Sequence, residues 1–248
     1  MKQTIETLKN FSKQIDLRKR FSVTFRTNDS FFTSSEICEL KPIQNGYDLN
    51  VKLKQILNNK YRNHIDQEQI DFWIINKWGG IRGFKSNKRN VEKIKKFKEE
   101  IKNGKLSLES FGTISSLSKI ASFLEPDNYV IYDSRVIYAL NWLILTCENS
   151  NGINQKYFPI PNGRNKKIND FDLKTILNLV HLEEYLKEDD LFLASQNAYF
   201  EFCDFVKIAG REIFGDSSKP FELEMLLFAL ADQEIFQDLK SRLKLILN

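Results

Sequence analysis

Apolar residues recur at helical spacing along most of this 248-residue chain. Between residues 114 and 124, Leu117, Ile120, Ala121 and Leu124 follow the i, i+3, i+4, i+7 pattern of a buried helical face. Comparable patterns predict further helices over residues 1–16, 66–78, 90–103, 133–147, 172–187, 190–214 and 220–230. The chain has only 10 glycines and 5 prolines to interrupt these patterns, so we predict a mainly α fold.

Local signals mark the ends of several predicted helices. Asp66 and either Asp170 or Asp172 stand where an N-cap belongs. Gly215 follows one helical pattern directly, and Pro220 opens the next. These signals predict where the helices stop and start.

The N-terminal quarter of the chain has a less uniform pattern. Residues Phe21–Thr27 alternate as a strand would, and Tyr47–Leu57 is ambiguous between helix and strand. No low-complexity linker or internal repeat divides the chain. We therefore predict a single unit over residues 1–248, with a small mixed region at 1–65 and a helical core at 66–248.

A lysine and an aspartate stand out as candidate chemistry. Ser115, Lys119 and Ser122 share the polar face of the predicted helix at 114–124, where no bulky neighbour shields the lysine. Asp133 stands at the N-cap of the next helix. A helix–turn–helix that brings the two together could support covalent catalysis by an amine. The alternative is a solvated surface lysine and an ordinary helix cap.

The segment from 114 to 143, ISSLSKIASFLEPDNYVIYDSRVIYALNWL, carries a resemblance to a known family. Its order is a lysine, an apolar helix, a loop with proline, and an aspartate that opens an amphipathic helix. It resembles the core of helix-hairpin-helix DNA glycosylases, and more narrowly their 8-oxoguanine glycosylase-like branch. The resemblance implies that Lys119 is the nucleophile, that Asp133 is its electrostatic partner and that Arg135 contacts the DNA backbone.

The same resemblance implies a fold and a wider site. The fold would be two-lobed and helical, and the segment Lys219–Asp232 is similar to the C-terminal helix that closes the base pocket in such proteins. Phe221 would stack on the flipped base, with Trp78 as a distant second candidate; the alternative is that both are core residues, since aromatic side chains at helix ends usually bury. Family hairpins have a glycine-x-glycine turn for a DNA phosphate, whereas this chain has Ser115-Ser116-Leu117-Ser118. Ser115 and Ser118 are therefore the candidate phosphate contacts.

Basic residues concentrate just ahead of the Lys119 helix. From 82 to 105 there are ten basic and three acidic residues, a net charge of +7 against a formal +4 for the whole chain. Such a segment would suit phosphate contacts, and we select Lys88 and Arg89 as DNA-binding candidates. The alternative is a solvated helix with Val91, Ile94 and Phe97 turned inward.

Several classes of site are disfavoured by the composition. Cys38, Cys147 and Cys203 are odd in number and far apart, which argues against a disulfide framework and against a four-cysteine iron–sulfur cluster. His64 and His181 stand alone, so we predict no metal. Glycine-rich nucleotide loops are absent, and we predict no cofactor.

The sequence also bears on location and on function class. No apolar run approaches eighteen residues, and the N-terminus lacks an apolar signal core, so we expect a cytoplasmic protein without a membrane partner. The function we predict is a DNA glycosylase that excises a modified base, by default an oxidised purine, through a lysine Schiff base that also permits strand cleavage by elimination (lyase activity). The alternatives are a non-catalytic nucleic-acid-binding protein on the same scaffold and a helical protein-interaction module.

Overall fold

The computed structural model of the protein describes residues 1–23, 31–148, 155–163, 165–182 and 191–244. Helices make up about 70% of the protein. Within the described residues, the only β-type pairing is an isolated bridge between Tyr157 and Phe192. The predicted mainly α fold is confirmed, while its division into two lobes stays a prediction.

The described part of the N-terminal region is helical rather than mixed. Its helices are α1 (Lys2–Gln14), α2 (Leu17–Arg20), α3 (Ser34–Leu40) and α4 (Gly46–Arg62). The ambiguous segment Tyr47–Leu57 lies inside α4, because Leu49, Leu53 and Leu57 form a buried stripe at helical spacing. Of the predicted strand, residues 21–23 have no regular structure and the rest lies outside the described residues.

The middle of the chain contributes the helices that surround Lys119. They are α5 (Gln67–Trp73), continued by a π-helical turn (Ile74–Trp78), then α6 (Lys88–Lys102), α7 (Leu108–Phe111), α8 (Ile114–Leu124) and α9 (Ser134–Leu143), continued by a second π-helical turn (Ile144–Glu148). Asp66 occupies the N-cap position of α5 as predicted. Its φ of 35°, however, is left-handed, and its carboxylate makes no capping hydrogen bond.

The C-terminal part supplies the helices that pack behind α9. They are α10 (Lys166–Asp170), α11 (Leu173–Val180), α12 (Ser195–Phe214), α13 (Pro220–Leu230), continued by a third π-helical turn (Ala231–Ile235), and α14 (Phe236–Arg242). Asp172 rather than Asp170 is the cap, because its carboxylate accepts from two backbone N–H groups of the first turn of α11. Gly215, at φ 98°, ends α12 as predicted. The predicted helix boundaries at 187 and 190 lie outside the described residues.

Helix α13 is central to the core because it is apolar on nearly every side. Its residues Leu223, Leu226, Leu227 and Leu230 are fully buried. It packs against both α9 and α12, while α8 packs against α4 and the π-helical turn that follows α5. A helix that is hydrophobic all round needs neighbours on every side. This packing brings α8, α9 and α13 to one region of the core.

Replacing Leu226 by alanine should lower the free energy of unfolding by about 2–5 kcal/mol, because a fully buried leucine leaves a cavity. Urea unfolding of the wild type and the variant measures the difference. Leu108→Ala is the matched control, since that leucine is 67% exposed and its loss should change stability by less than about 0.5 kcal/mol. Equal effects of the two substitutions would contradict this packing.

Candidate active site

The candidate site lies at the hairpin formed by α8, the loop of residues 125–133 and α9. Asp133 is the N-cap of α9, as predicted, and its carboxylate accepts a hydrogen bond of 3.0 Å from the backbone N–H of Arg135. A carboxylate at this position satisfies a free backbone donor and interacts favourably with the positive end of the helix dipole. The cap therefore holds Asp133 at a defined place on the hairpin.

Lys119 and Asp133 lie beside one another across this hairpin. The Lys119 Nζ is 4.0 Å from Asp133 Oδ2, and it donates a hydrogen bond to the Ser115 carbonyl one turn earlier in α8. The Lys119 side chain is only 10% exposed and that of Asp133 18%. The sequence predicted an unshielded lysine, so its burial is a correction. An ion pair this sheltered is stronger than a surface pair.

The shield over Lys119 is the segment that follows the first π-helical turn. A Cβ on Gly79 would lie 2.9 Å from Lys119 Cδ, so only glycine permits this approach. The Gly79 N–H donates to the Ile74 carbonyl, and Gly80 adopts a left-handed φ of 63°. The paired glycines thus end the helix, and Gly79 packs against the lysine side chain.

Trp78 has a packing role in this conformation. Its side chain is half-buried, and its Nε1 donates a hydrogen bond of 2.8 Å to Asn50 Oδ1. Its ring meets that of Phe123 edge to face, with centroids 4.9 Å apart. Phe123 lies one turn after Lys119 on α8, so Trp78 borders the site from inside the protein.

Arg135 lies at the outer edge of the site. Its Nε is 3.4 Å from Asp133 Oδ1, and its Nη1 is 3.8 Å from Asp232 Oδ2. Its guanidinium carbon lies 3.6 Å from the centroid of the Phe228 ring, within cation–π range. Two carboxylates and a ring therefore orient this arginine beside Asp133.

The two candidate serines occupy different environments. Ser118 is fully buried, and its Oγ accepts a hydrogen bond of 3.0 Å from the Tyr132 backbone N–H, which closes the hairpin. Ser115 is half-buried, and its Oγ has no hydrogen-bond partner among the described residues. In this conformation Ser118 holds the hairpin together from inside.

The basic segment from 82 to 105 forms most of α6 and the loop ahead of it. Lys88 and Arg89 are exposed in the first turn of α6, and this helix packs against α7 and α8. Part of the segment's charge is neutralised, since Lys96 and Lys98 pair with Glu109 and Asp71. The remaining lysines and arginines leave an exposed basic helix next to the helix that carries Lys119.

Phe221 is buried rather than open to a pocket. It is 5% exposed, and its ring centroid lies 5.4 Å from Nζ of Lys54, a buried lysine on α4. The Lys54 Nζ also lies 4.6 Å from the Phe123 ring centroid and donates a hydrogen bond of 3.1 Å to the Ser122 carbonyl. This lysine, 3% exposed, was not among the residues that the sequence indicated.

Glu224 on α13 is the second buried charged residue behind the site. It is 4% exposed, and its Oε2 has no hydrogen-bond partner in the described part of the chain. Burial raises the pKa of Glu224, which Lys54 opposes. Burial likewise lowers the pKa of Lys54, which Glu224 opposes.

A signal for Glu224 does exist in the sequence. The run Pro220–Leu230 is apolar on every side except for Glu222 and Glu224, so a carboxylate in it should be buried and in need of a partner. Lys54 gives a weaker signal of burial, because it stands between Leu53 and Leu57, two apolar residues at helical spacing. That their charges interact could not be inferred, because 170 positions separate them.

The arrangement has the parts that amine-based covalent chemistry needs. It combines a primary amine sheltered from water, a carboxylate 4.0 Å away and an arginine at the rim. Desolvation favours a neutral amine in general, and a carboxylate can stabilise positive charge that develops on a reacting carbon. Among the described residues, no group of three or more His, Cys, Asp or Glu side chains has an arrangement suited to a metal ion.

Comparisons of the chain with known proteins give no family assignment. No family model, no curated protein and no solved structure matches it. Nor does any described helix have the length and apolar character needed to cross a membrane.

Replacing Gly79 by alanine should displace Lys119, since the new Cβ would lie 2.9 Å from both its Cδ and the Ile75 carbonyl oxygen. We expect a lower melting temperature and faster labelling of Lys119 by an amine-specific reagent, followed by mass spectrometry. Gly83→Ala is the matched control, because a Cβ there meets nothing within 4 Å. If Gly79→Ala behaved like the control, Gly79 would not be the cover of the lysine.

Replacing Glu224 by glutamine should raise the free energy of unfolding near neutral pH by about 1–3 kcal/mol, because burial raises the pKa of Glu224 to about 7 and glutamine has no charge to bury. The raised pKa sets the sign of the pH dependence: the cost of the ionised carboxylate is absent below its ordinary pKa of 4.5 and complete above about 7. Urea unfolding between about pH 5 and pH 8 should therefore show the variant becoming more stable relative to the wild type up to about pH 7 and no further. A variant that lost stability relative to the wild type across this range would contradict the assignment.

Proposed function

We propose that the protein is a DNA glycosylase in which Lys119 forms a Schiff base with the sugar of a modified nucleotide. The observation that carries this proposal is the sheltered pair of Lys119 and Asp133, 4.0 Å apart across a helical hairpin. The resemblance of the segment 114–143 to helix-hairpin-helix glycosylases gives the same two residues these roles. Removing a lysine and a carboxylate from water costs desolvation free energy, and proteins place such charged groups preferentially at functional sites.

The reaction follows from the chemistry of the two side chains. The target nucleotide is flipped out of the duplex, at a cost of a few kcal/mol in stacking and pairing. The neutral amine of Lys119 attacks the anomeric carbon; the base leaves with the electron pair of the glycosidic bond and takes up a proton. Asp133 stabilises the positive charge that develops on the sugar. Opening of the sugar ring then gives the Schiff base, from which β-elimination can cleave the strand.

Arg135 and the exposed face of α6 support a DNA substrate. Arg135 is oriented next to Asp133, where its guanidinium can reach a phosphate beside the flipped nucleotide. Lys88 and Arg89 extend positive charge along the neighbouring helix. An oxidised purine is the base that the resemblance suggests, and a DNA substrate agrees with the cytoplasmic location that the sequence predicts.

The burial of Lys119 favours a second candidate, a non-catalytic nucleic-acid-binding protein. Its side chain is 10% exposed behind Gly79, and Ser118 directs its hydroxyl into the hairpin rather than toward a phosphate. For catalysis, DNA binding has to move the segment around Gly79 away from the amine. For binding alone, no such movement is required.

Borohydride trapping on duplexes that carry 8-oxoguanine or an abasic site tests the proposal. We expect a covalent adduct with the wild type and none with Lys119→Gln, because glutamine cannot form an imine. Lys13→Gln, on the exposed face of α1, is the matched control and should still be trapped. Salt-dependent DNA binding without an adduct would favour the binding protein, and neither adduct nor binding would favour an interaction module.

A further inference from the structure

The chain between α9 and α11 returns to the hairpin of the candidate site. Its described residues 157–163 and 165–168 are here called the rim loop. Asn141, which is buried on α9, exchanges two hydrogen bonds with the Phe158 backbone, of 2.7 and 2.9 Å. Ile168 is buried, and the helix to which it belongs, α10, packs against α9. The rim loop is therefore held against α9 at both of its ends.

Two further contacts bring the rim loop to the surroundings of Asp133. The Tyr132 hydroxyl donates a hydrogen bond of 2.8 Å to the Pro159 carbonyl. A Cβ on Gly163 would overlap the Ser134 Oγ, so only glycine allows the loop to pass this close to the start of α9. Tyr132 and Ser134 are the residues on either side of Asp133. The rim loop therefore contacts both chain neighbours of the candidate carboxylate.

Asp232, in the π-helical turn that follows α13, connects the rim loop to Arg135. Its Oδ1 accepts a hydrogen bond of 2.6 Å from the Asn165 side chain, and its backbone carbonyl accepts one of 3.3 Å from Lys167 Nζ. Its Oδ2 lies 3.8 Å from Arg135 Nη1. Asn165 in turn caps α10, because its Oδ1 accepts from the backbone N–H groups of Lys167 and Ile168. One aspartate thus holds both the loop and the arginine at the edge of the site.

The outer side of this assembly carries positive charge. Lys166 and Lys167 are exposed in the first turn of α10, and the Arg135 side chain is 31% exposed. Helix α10 packs against α9, whereas the basic helix α6 packs against α8. Each helix of the hairpin therefore has an exposed basic element next to it. Two separate basic elements beside one site suit a long polyanion better than a single phosphate group.

We propose that the rim loop is a second DNA-binding element, whose Lys166 and Lys167 contact backbone phosphates beside the flipped nucleotide. Asp232 is its positioning residue, because it fixes the loop next to Arg135 and itself touches neither the DNA nor the reacting atoms. This inference rests on the proposed DNA substrate, and it adds the surface that holds the strand on the α9 side of the hairpin.

The salt dependence of DNA binding tests the two lysines. Fluorescence anisotropy measures the affinity for a duplex with a tetrahydrofuran abasic analogue between about 50 and 200 mM salt. In Lys166→Gln/Lys167→Gln the slope of log affinity against log salt should become shallower by about 2, because two phosphate contacts are lost. Lys2→Gln/Lys13→Gln is the matched control. Both lysines are exposed on α1, which packs against the turn at the far end of α9, so the slope should not change.

Asp232→Ala tests the positioning role by the sign of its effect. The substitution removes a negative charge, so electrostatics alone predicts tighter binding of DNA. We expect binding to weaken by about tenfold instead, because Asn165 and Arg135 lose the acceptor that holds them. Each variant is measured well below its melting temperature, so that a loss of stability by itself does not affect the result. Should Asp232→Ala fail to fold, Asn165→Ala breaks the same hydrogen bond from the loop and should weaken binding in the same way.

Asp170→Ala is the matched control for Asp232→Ala. Asp170 also belongs to α10, but it only pairs with Lys166 on the surface, at 2.6 Å, so its loss should leave binding unchanged or tighter. A combined variant gives the second readout. Once Asp232 is alanine, replacing Lys166 and Lys167 should change the salt slope little, because the loop is no longer held against the strand.

The outcomes separate this inference from the proposed function. If the wild type binds DNA but gives no borohydride adduct, the glycosylase proposal fails, and a shallower slope in the lysine variant still supports the rim loop. An unchanged slope in that variant overturns the inference, whatever the trapping result. Tighter binding by Asp232→Ala, or a full effect of the lysine substitutions in its background, overturns the positioning role. A wild type that binds no DNA at low salt overturns the inference together with both nucleic-acid functions.

Discussion

Charges buried in a helical core must be paired, and this constraint organises the whole site. Lys119 lies against Asp133, and behind them Lys54 interacts with Glu224. The four side chains come from α4, α8, α13 and the loop before α9, so the site exists only when these elements are assembled. Loss of Asp133 would leave the charge of Lys119 uncompensated in a sheltered region, where the cost is several kcal/mol.

The hairpin shows how backbone groups hold the same site. Asp133 caps α9, while Ser118 reaches back to the Tyr132 N–H and closes the loop. At the other end of α8, Lys54 and Asn58 take up two carbonyls that the helix leaves without partners. The helix with the amine is therefore held at its middle and at its C-terminal end, and Lys119 lies on a helix rather than on a loop.

Access to the amine is a separate question from its position. Gly79 lies over the Lys119 side chain, and Arg135 is stacked on Phe228 between two carboxylates. Shelter from water favours nucleophilic chemistry at an amine, but it also excludes a substrate until the surrounding contacts open. In a glycosylase, the binding energy of DNA would supply that opening. A binding protein would leave the contacts unchanged.

The sequence by itself determined the features that depend on neighbouring residues. Helical periodicity predicted the mainly α fold, and local capping chemistry predicted Asp133 at the start of α9, Gly215 at the end of α12 and Pro220 at the start of α13. The pairing of Lys119 with Asp133 was also within reach, because only a short loop separates their helices.

Only the tertiary structure decided the features that depend on distant residues. Lys119 packs against Gly79, which lies forty positions earlier in the chain. The charge of Lys54 interacts with that of Glu224, which lies 170 positions later. The inward direction of the Ser118 hydroxyl follows from a donor in the next segment of the hairpin. Periodicity shows which face of a helix is buried. Which group contacts that face depends on how the elements pack together, and local sequence does not specify this packing.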